Sequence, residues 1–262
     1  MDTFETILFA VKGPVAHITL NRPEAHNALS NRMVEELLRC VISLRDDATY
    51  HGLRALVLRS VGTTFCSGGD LRDMVDPLPA AENRAAIARV DELLRAVNEL
   101  PFVVVARVQG AAMGGGLGLV CVSDIAVAGY SATFGLPEVR LGIAPSMISP
   151  YVVARIGFTR ARHLMLTGGR LDYMEAYGYS LIQHYCADNE LDARINAVLS
   201  DVLKCAPEAL RETKRLLHYL SAHDETLDYR VELLQRLRSG EEARQGVQAF
   251  LEKKPAPWVQ EP

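Results

Sequence analysis

The chain has 262 residues, 49% hydrophobic and 23% charged, which suits one large folded domain or a domain with an appendage. A formal net charge of −4, with no basic block longer than two residues, argues against a nucleic-acid or anionic-membrane partner. Five cysteines at wide, irregular spacing, without a CxxC, give no support to a metal or redox site. No apolar run of about 18 residues is present to span a membrane. The acidic start "MDTFETILFA" lacks the pattern of a signal peptide, so the cytoplasm is the expected location.

In chain order, the first twenty residues read as two strands around a turn at Lys12-Gly13-Pro14, the second being "VAHITL". "NRPEAHNALS" is a loop with Ser30 as N-cap, and Met33, Val34, Leu37, Leu38, Val41 and Ile42 then recur at helical spacing. "LRALVLRS" is a strand that ends in the loop "VGTTFCSGGDL". "ENRAAIARVDELLRAVNEL" is an amphipathic helix stopped by Pro101, and "FVVVARVQG" is an apolar strand. The run "AAMGGGLGLV" opens an apolar helix, "DIAVAG" is another strand, and "ATFGLPEVRLG" gives a short strand and a loop. Recurring strand, loop and helix predict an α/β domain. From about Ser146 the strand signal fades into short helices, and residues 190 to about 253 read as two or three longer ones.

Three loops carry candidate chemistry. In "FCSGGDL" a strand end and two adjacent glycines leave main-chain N–H groups able to hold an anion or a polarised carbonyl oxygen; a plain turn is the alternative. Ser67 and Cys66 are poor nucleophile candidates, because no G-x-S-x-G elbow and no clearly placed histidine accompany them. The second loop has four glycines in the five positions Gly114 to Gly118, at the start of a helix where orphan N–H groups attract negative charge. Its G-x-G-x-G spacing is not the dinucleotide pattern, while close helix packing remains compatible with it. In the third, "FGLPEVRLG", Glu138 lies among apolar residues, where burial would raise its pKa toward neutrality. A surface pair with Arg140 is the other reading.

These loops, in this order and spacing, resemble the enoyl-CoA hydratase/isomerase (crotonase) superfamily over nearly the whole chain. "ITLNRPEAHNALS", "FCSGGDL", "GAAMGGGLGL" and "DIAVAGYSATFGLPEVRLGI" carry the resemblance. It implies a spiral of repeated β-β-α units over 1–195 and a helical oligomerisation region over 196–262, assembling as a homotrimer or a dimer of trimers. It also implies an acyl-CoA thioester substrate, with coenzyme A part of the substrate and no separate cofactor or metal. Carried over by position, the N–H groups of Ser67 and Gly115 would form an oxyanion hole, with Glu138 as acid/base. Ser67, Gly68, Gly69, Asp70, Gly114 and Gly115 would line the thioester arm and Ala25 the adenine side. Lys253 and Lys254 are candidates for the CoA phosphates, with solvated surface charge the preferred account.

One position departs from the pattern. Hydratases of the family commonly use a second glutamate, and its place here is Gly118. A single carboxylate also suits a Δ3,Δ2-enoyl-CoA isomerase or a decarboxylase, and a binding protein without catalysis is a further alternative. The segment "RLGIAPSMISPYVVARIG" resembles bacterial hydratases of methylglutaconyl-CoA or isohexenylglutaconyl-CoA. That resemblance implies hydration of a branched 2-enoyl-CoA in leucine or acyclic-terpene breakdown.

Overall fold

A tight turn with Gly13 at φ +54° folds β1 (Ile7–Lys12) against β2 (Val15–Leu20) as an antiparallel pair. The computed structural model describes residues 4–47, 50, 52–75, 79–222, 227–238 and 240–260; residues 1–3, read above as part of the N-terminal segment, lie outside it. Ser30 caps α1 (Asn31–Asp46), its hydroxyl accepting from the N–H of Met33 at 3.2 Å. Next come β3 (Ala55–Ser60), the single turn α2 (Arg72–Val75), α3 (Ala80–Asn98), β4 (Val103–Val108), β5 (Ala111–Met113) and α4 (Gly115–Cys121). The chain continues through β6 (Ile125–Gly129), β7 (Thr133–Gly135), α5 (Ser149–Ile156), α6 (Phe158–Thr167), β8 (Arg170–Asp172), α7 (Tyr173–Gly178) and β9 (His184–Cys186).

The main sheet has the order β1-β2-β3-β4-β6-β9, with every pair after the first parallel. Parallel strands between two layers must be apolar on both faces, and β3 is. Leu56 and Leu58 enter the large core with α1 and α3, while Ala55 and Val57 pack with Val105 and Val127 on the opposite face. A second sheet, β5-β7-β8, is extended by the isolated parallel bridges Cys66 to Ala112 and Leu29 to Gly69. Each turn of the chain thus lays down a main-sheet strand, then a short extended piece beside its counterpart in the next turn, then helix. This is the repeated unit that the resemblance implies. Its consequence is functional: the three candidate loops all follow those short pieces, so they gather at one end of the second sheet.

The C-terminal helices are α8 (Leu191–Leu203), α9 (Pro207–Ala222), α10 (Leu227–Arg238) and α11 (Glu241–Leu251). The expected division between 195 and 196 falls inside α8 and is not a boundary. Leu191, Ile195, Val198, Leu199 and Val202 of that helix form one cluster with the sheet residues Val57, Val105 and Val127. The next helix is also tied to the core, because Lys214 Nζ donates to Phe102 O at 3.1 Å and to Asp124 Oδ2 at 2.7 Å. Strands β8 and β9 lie in the stretch where the strand signal fades; three residues are too few to display an alternation of their own.

Candidate active site

The loop after β3 is fixed between two neighbours. Phe65 is fully buried beneath it. On one side Cys66 donates its N–H to Ala111 O at 3.0 Å and accepts from Met113 N at 2.9 Å. On the other, Ser67 N–H donates to His26 O at 3.1 Å, Asp70 N–H to Leu29 O at 3.1 Å, and Gly68 O accepts from Leu29 N at 2.8 Å. Gly68 has φ +101°, a conformation that favours glycine, and a Cβ there would stand a tight 3.0 Å from Met113 O.

The "NRPEAHNALS" segment supplies the outer wall. Buried Asn27, at φ +54°, donates from Nδ2 to Val61 O (2.9 Å) and Thr64 O (2.8 Å) and accepts from Arg22 N at 2.8 Å. Asp70 meets Arg22 Nη2 at 3.0 Å and accepts from Arg72 N at 3.1 Å. Although burial acts the other way, those two groups hold its carboxyl below the usual range. Asp70 is therefore a structural anchor of the loop. Ala25 ends the 3-10 turn Pro23–Ala25 and is half-buried, next to the His26 carbonyl that engages Ser67.

The glycine run makes the facing wall. Gly114, at φ +50°, donates to Gly135 O at 2.9 Å and its carbonyl accepts from Gly118 N at 3.0 Å, starting α4. Gly115 is the first helical residue, where the N–H has no intrahelical acceptor. Among the described residues neither the Gly69 nor the Gly115 amide has a hydrogen-bond partner. A Cβ on Gly115 would lie 3.9 Å from Gly69 N, so the two unpartnered groups are close neighbours. Gly69 is exposed and Gly115 half-buried, so a small group can reach both.

The geometry thereby corrects one expectation. The Ser67 N–H points outward to His26, away from the glycine run, and is not available as a donor to a ligand between the loops. The Gly69 N–H, by contrast, has no partner among the described residues. The choice depends on which amides the neighbouring chain segments use, which the local sequence "FCSGGDL" does not display; the bridge from Leu29 to Gly69 is the deciding feature.

Glu138 stands on the 3-10 turn Pro137–Leu141 after β7. A Cβ on Gly114 would lie 2.9 Å from Glu138 Oε1, which presses the carboxylate against the start of α4. Its Oε2 is buried without a hydrogen-bond partner. Burial raises its pKa, opposed only by its own main-chain N–H. Arg140 is not its partner: Nε and Nη2 of Arg140 donate to Thr167 O at 3.2 and 3.1 Å, at the C-terminus of α6. Gly68 and Gly114 also meet here, since a Cβ on either would be 3.7 Å from the other's Cα.

Other candidates fall away. Cys66 is wholly buried, and burial pushes its thiol up to about 12, so it cannot supply a thiolate near neutrality. The Ser67 hydroxyl is exposed and bonds to no base among the described residues. Lys254 pairs with Glu252 at 3.0 Å on the surface, as expected of a solvated charge. No helix among the described residues is long and apolar enough to cross a membrane.

The space beside Gly118 is occupied. A Cβ there would lie 2.5 Å from Ile148 Cγ2, 3.2 Å from Ile148 Cβ and 3.5 Å from Leu94 Cδ2. Sequence reasoning found the missing carboxylate at Gly118 but not the side chain that fills its room. The site as a whole offers two N–H donors for an oxygen that gains negative charge, and one carboxylate poised to exchange a proton.

The family model "Enoyl-CoA hydratase/isomerase" matches residues 10–261. The solved structure of Pseudomonas aeruginosa AtuE is 41% identical with a TM-score of 0.92, covering 98% of this chain and 100% of that one. An enoyl-CoA hydratase/isomerase from Marinobacter aquaeolei is 37% identical with a TM-score of 0.89, covering 97% and 99%. The mitochondrial enoyl-CoA hydratase domain-containing protein 2 of Homo sapiens is 36% identical, over 77% of this chain and 71% of the relative. The chain is an enzyme of the enoyl-CoA hydratase/isomerase family.

Proposed function

We propose that the protein adds water to a branched 2-enoyl-CoA of the glutaconyl type. The observation that carries the reading is the pair of unpartnered amides at Gly69 and Gly115 beside a partly buried, half-unpartnered carboxylate. The thioester oxygen sits between the two N–H groups. As water adds at Cβ, charge moves onto that oxygen, and each fixed donor stabilises it at a cost of about 2.7–4 kcal/mol if removed. Glu138 takes a proton from the water and delivers one to Cα, a role suited to a carboxylate whose pKa burial has raised. Gly68, Gly69, Asp70, Gly114 and Ala25 border the thioester arm and the nucleotide side.

The glutaconyl assignment is supported by the resemblance of Arg140–Gly157 to hydratases of such substrates, whose free carboxylate would help order the water that Gly118 cannot hold. One observation favours a second reading. Ile148 fills the second acid/base position, leaving a single carboxylate, which is what a Δ3,Δ2-isomerase or a decarboxylase needs. A panel of crotonyl-, 3-enoyl-, methylglutaconyl- and isohexenylglutaconyl-CoA, with products identified by mass, separates the readings. A hydrated glutaconyl product supports the first; a shifted double bond or loss of carbon dioxide supports the second.

Assembly into a trimer or a pair of trimers belongs to the same proposal. Its support is the apolar surface of the last helix, where Val247, Phe250 and Leu251 are 60%, 82% and 74% exposed. Light scattering tests it, and a monomeric mass at working concentration would contradict it.

A further inference from the structure

Gly114 is the N-cap of α4, and its carbonyl accepts from the N–H of Gly118 at 3.0 Å, so the two positions stand one turn apart. A Cβ at Gly114 would meet the Glu138 carboxylate; one at Gly118 would meet Ile148, which is 3% exposed, and Leu94, which is 1% exposed. We infer that Ile148 is a specificity-determining plug: it holds the place a second acid/base side chain would need, and confines proton transfer to Glu138. The inference deepens the hydration reading and rests on it for its catalytic half.

The geometry makes the plug rigid. The clashing atom is Cγ2, attached directly to the branched Cβ, and Cβ itself would stand only 3.2 Å from the new carbon. A β-branched side chain has few rotamers with which to yield. Ile148 also sits at the entry of α5, whose Ser149 donates its N–H to Pro145 O at 3.0 Å, so its main chain cannot easily withdraw. A carboxylate at 118 is thus barred by packing, and its absence is a property of two positions together.

Two measurements test this. The first is a thermal double-mutant cycle on Gly118→Ala and Ile148→Ala, independent of any activity. Alanine at 118 is expected to lower Tm by several degrees in the wild-type background. With Ile148→Ala it should be neutral or raise Tm, because alanine is the better helix former once the clash is gone. Equal effects in both backgrounds would overturn the plug. The second compares Ile148→Ala with Gly118→Glu/Ile148→Ala on crotonyl-CoA. The double variant is expected to gain at least tenfold in kcat/KM and a second ionisation in its pH profile. A coupled thermal cycle with no gain and no second ionisation would retain the packing and overturn the specificity role. If wild-type protein hydrates no ester of the panel, the hydration reading fails while the thermal cycle still decides the plug.

Discussion

The two ends of one short helix differ sharply. At the start of α4, Gly114 and Gly115 face Gly69 and Glu138, with two amides and one carboxylate oxygen left without partners. Further along the same helix, Gly116 and Gly118 face Cys66 and Ile148 at packing distance, where a Cβ would collide with either neighbour. The glycines at the first end keep polar main chain accessible, whereas those at the second let a helix approach closely. Of these groups Glu138 Oε2 is the buried one, and an unpartnered buried polar atom is costly, so its place at this end is where a ligand would complete the site.

That contrast is broken most severely by removing the carboxylate. Glu138→Gln is expected to lower kcat by about 10²–10⁴-fold, as loss of a general acid/base does, with the fold intact. It should also alter the pH dependence of stability. Burial raises the folded-state pKa of Glu138, so its protonated form favours folding. That contribution is fully present below the ordinary carboxylate pKa and is lost as pH rises through the raised one. Across that window wild-type Tm should fall relative to Glu138→Gln; a constant difference would contradict the assigned shift.

Replacing the Gly115 amide by an ester linkage deletes the donor without adding a side chain. The expected loss in kcat is about 10²–10³-fold. Arg140→Ala acts at a distance, by freeing the 3-10 turn from Thr167 O. About a tenfold fall in kcat with little change in KM is expected, since Glu138 is misplaced and the substrate cradle is untouched. The smallest effect belongs to Ser67→Ala. Its hydroxyl has no assigned work and its N–H is engaged by His26, so turnover should stay within about twofold. A large loss with intact folding would restore a role for that side chain.

Much of this was legible in the sequence where a segment carries its own period. The helix α1 with its Ser30 cap shows its period, and the strands β3 and β4 are long enough to stand out as apolar runs. The strands β5, β8 and β9 are three residues each and exist through their partners. The glycine run and Glu138 could be flagged as a helix start and a carboxylate among apolar residues, but the choice of Gly115 and the acid/base role of Glu138 came from the family resemblance. Whether Ser67 or Gly69 offers a free N–H depends on His26 and Leu29, some forty residues earlier, and no local pattern encodes it. Gly118 announces only an absence; that Ile148 fills it is a matter of packing between distant segments. The false boundary at 195 arose likewise, since α8 reads as one more C-terminal helix until its apolar face is seen against the sheet.

The central claim is that the Gly69 and Gly115 amides receive the thioester oxygen. Difference infrared spectroscopy of a bound enoyl-CoA carrying ¹³C at the thioester carbonyl reads that contact directly. The C=O band should shift to lower frequency on binding to wild type and equally to Ser67→Ala, with most of the shift lost in the ester variant at 115. A band unmoved by binding, or a shift abolished by Ser67→Ala and kept by the ester, would contradict the account.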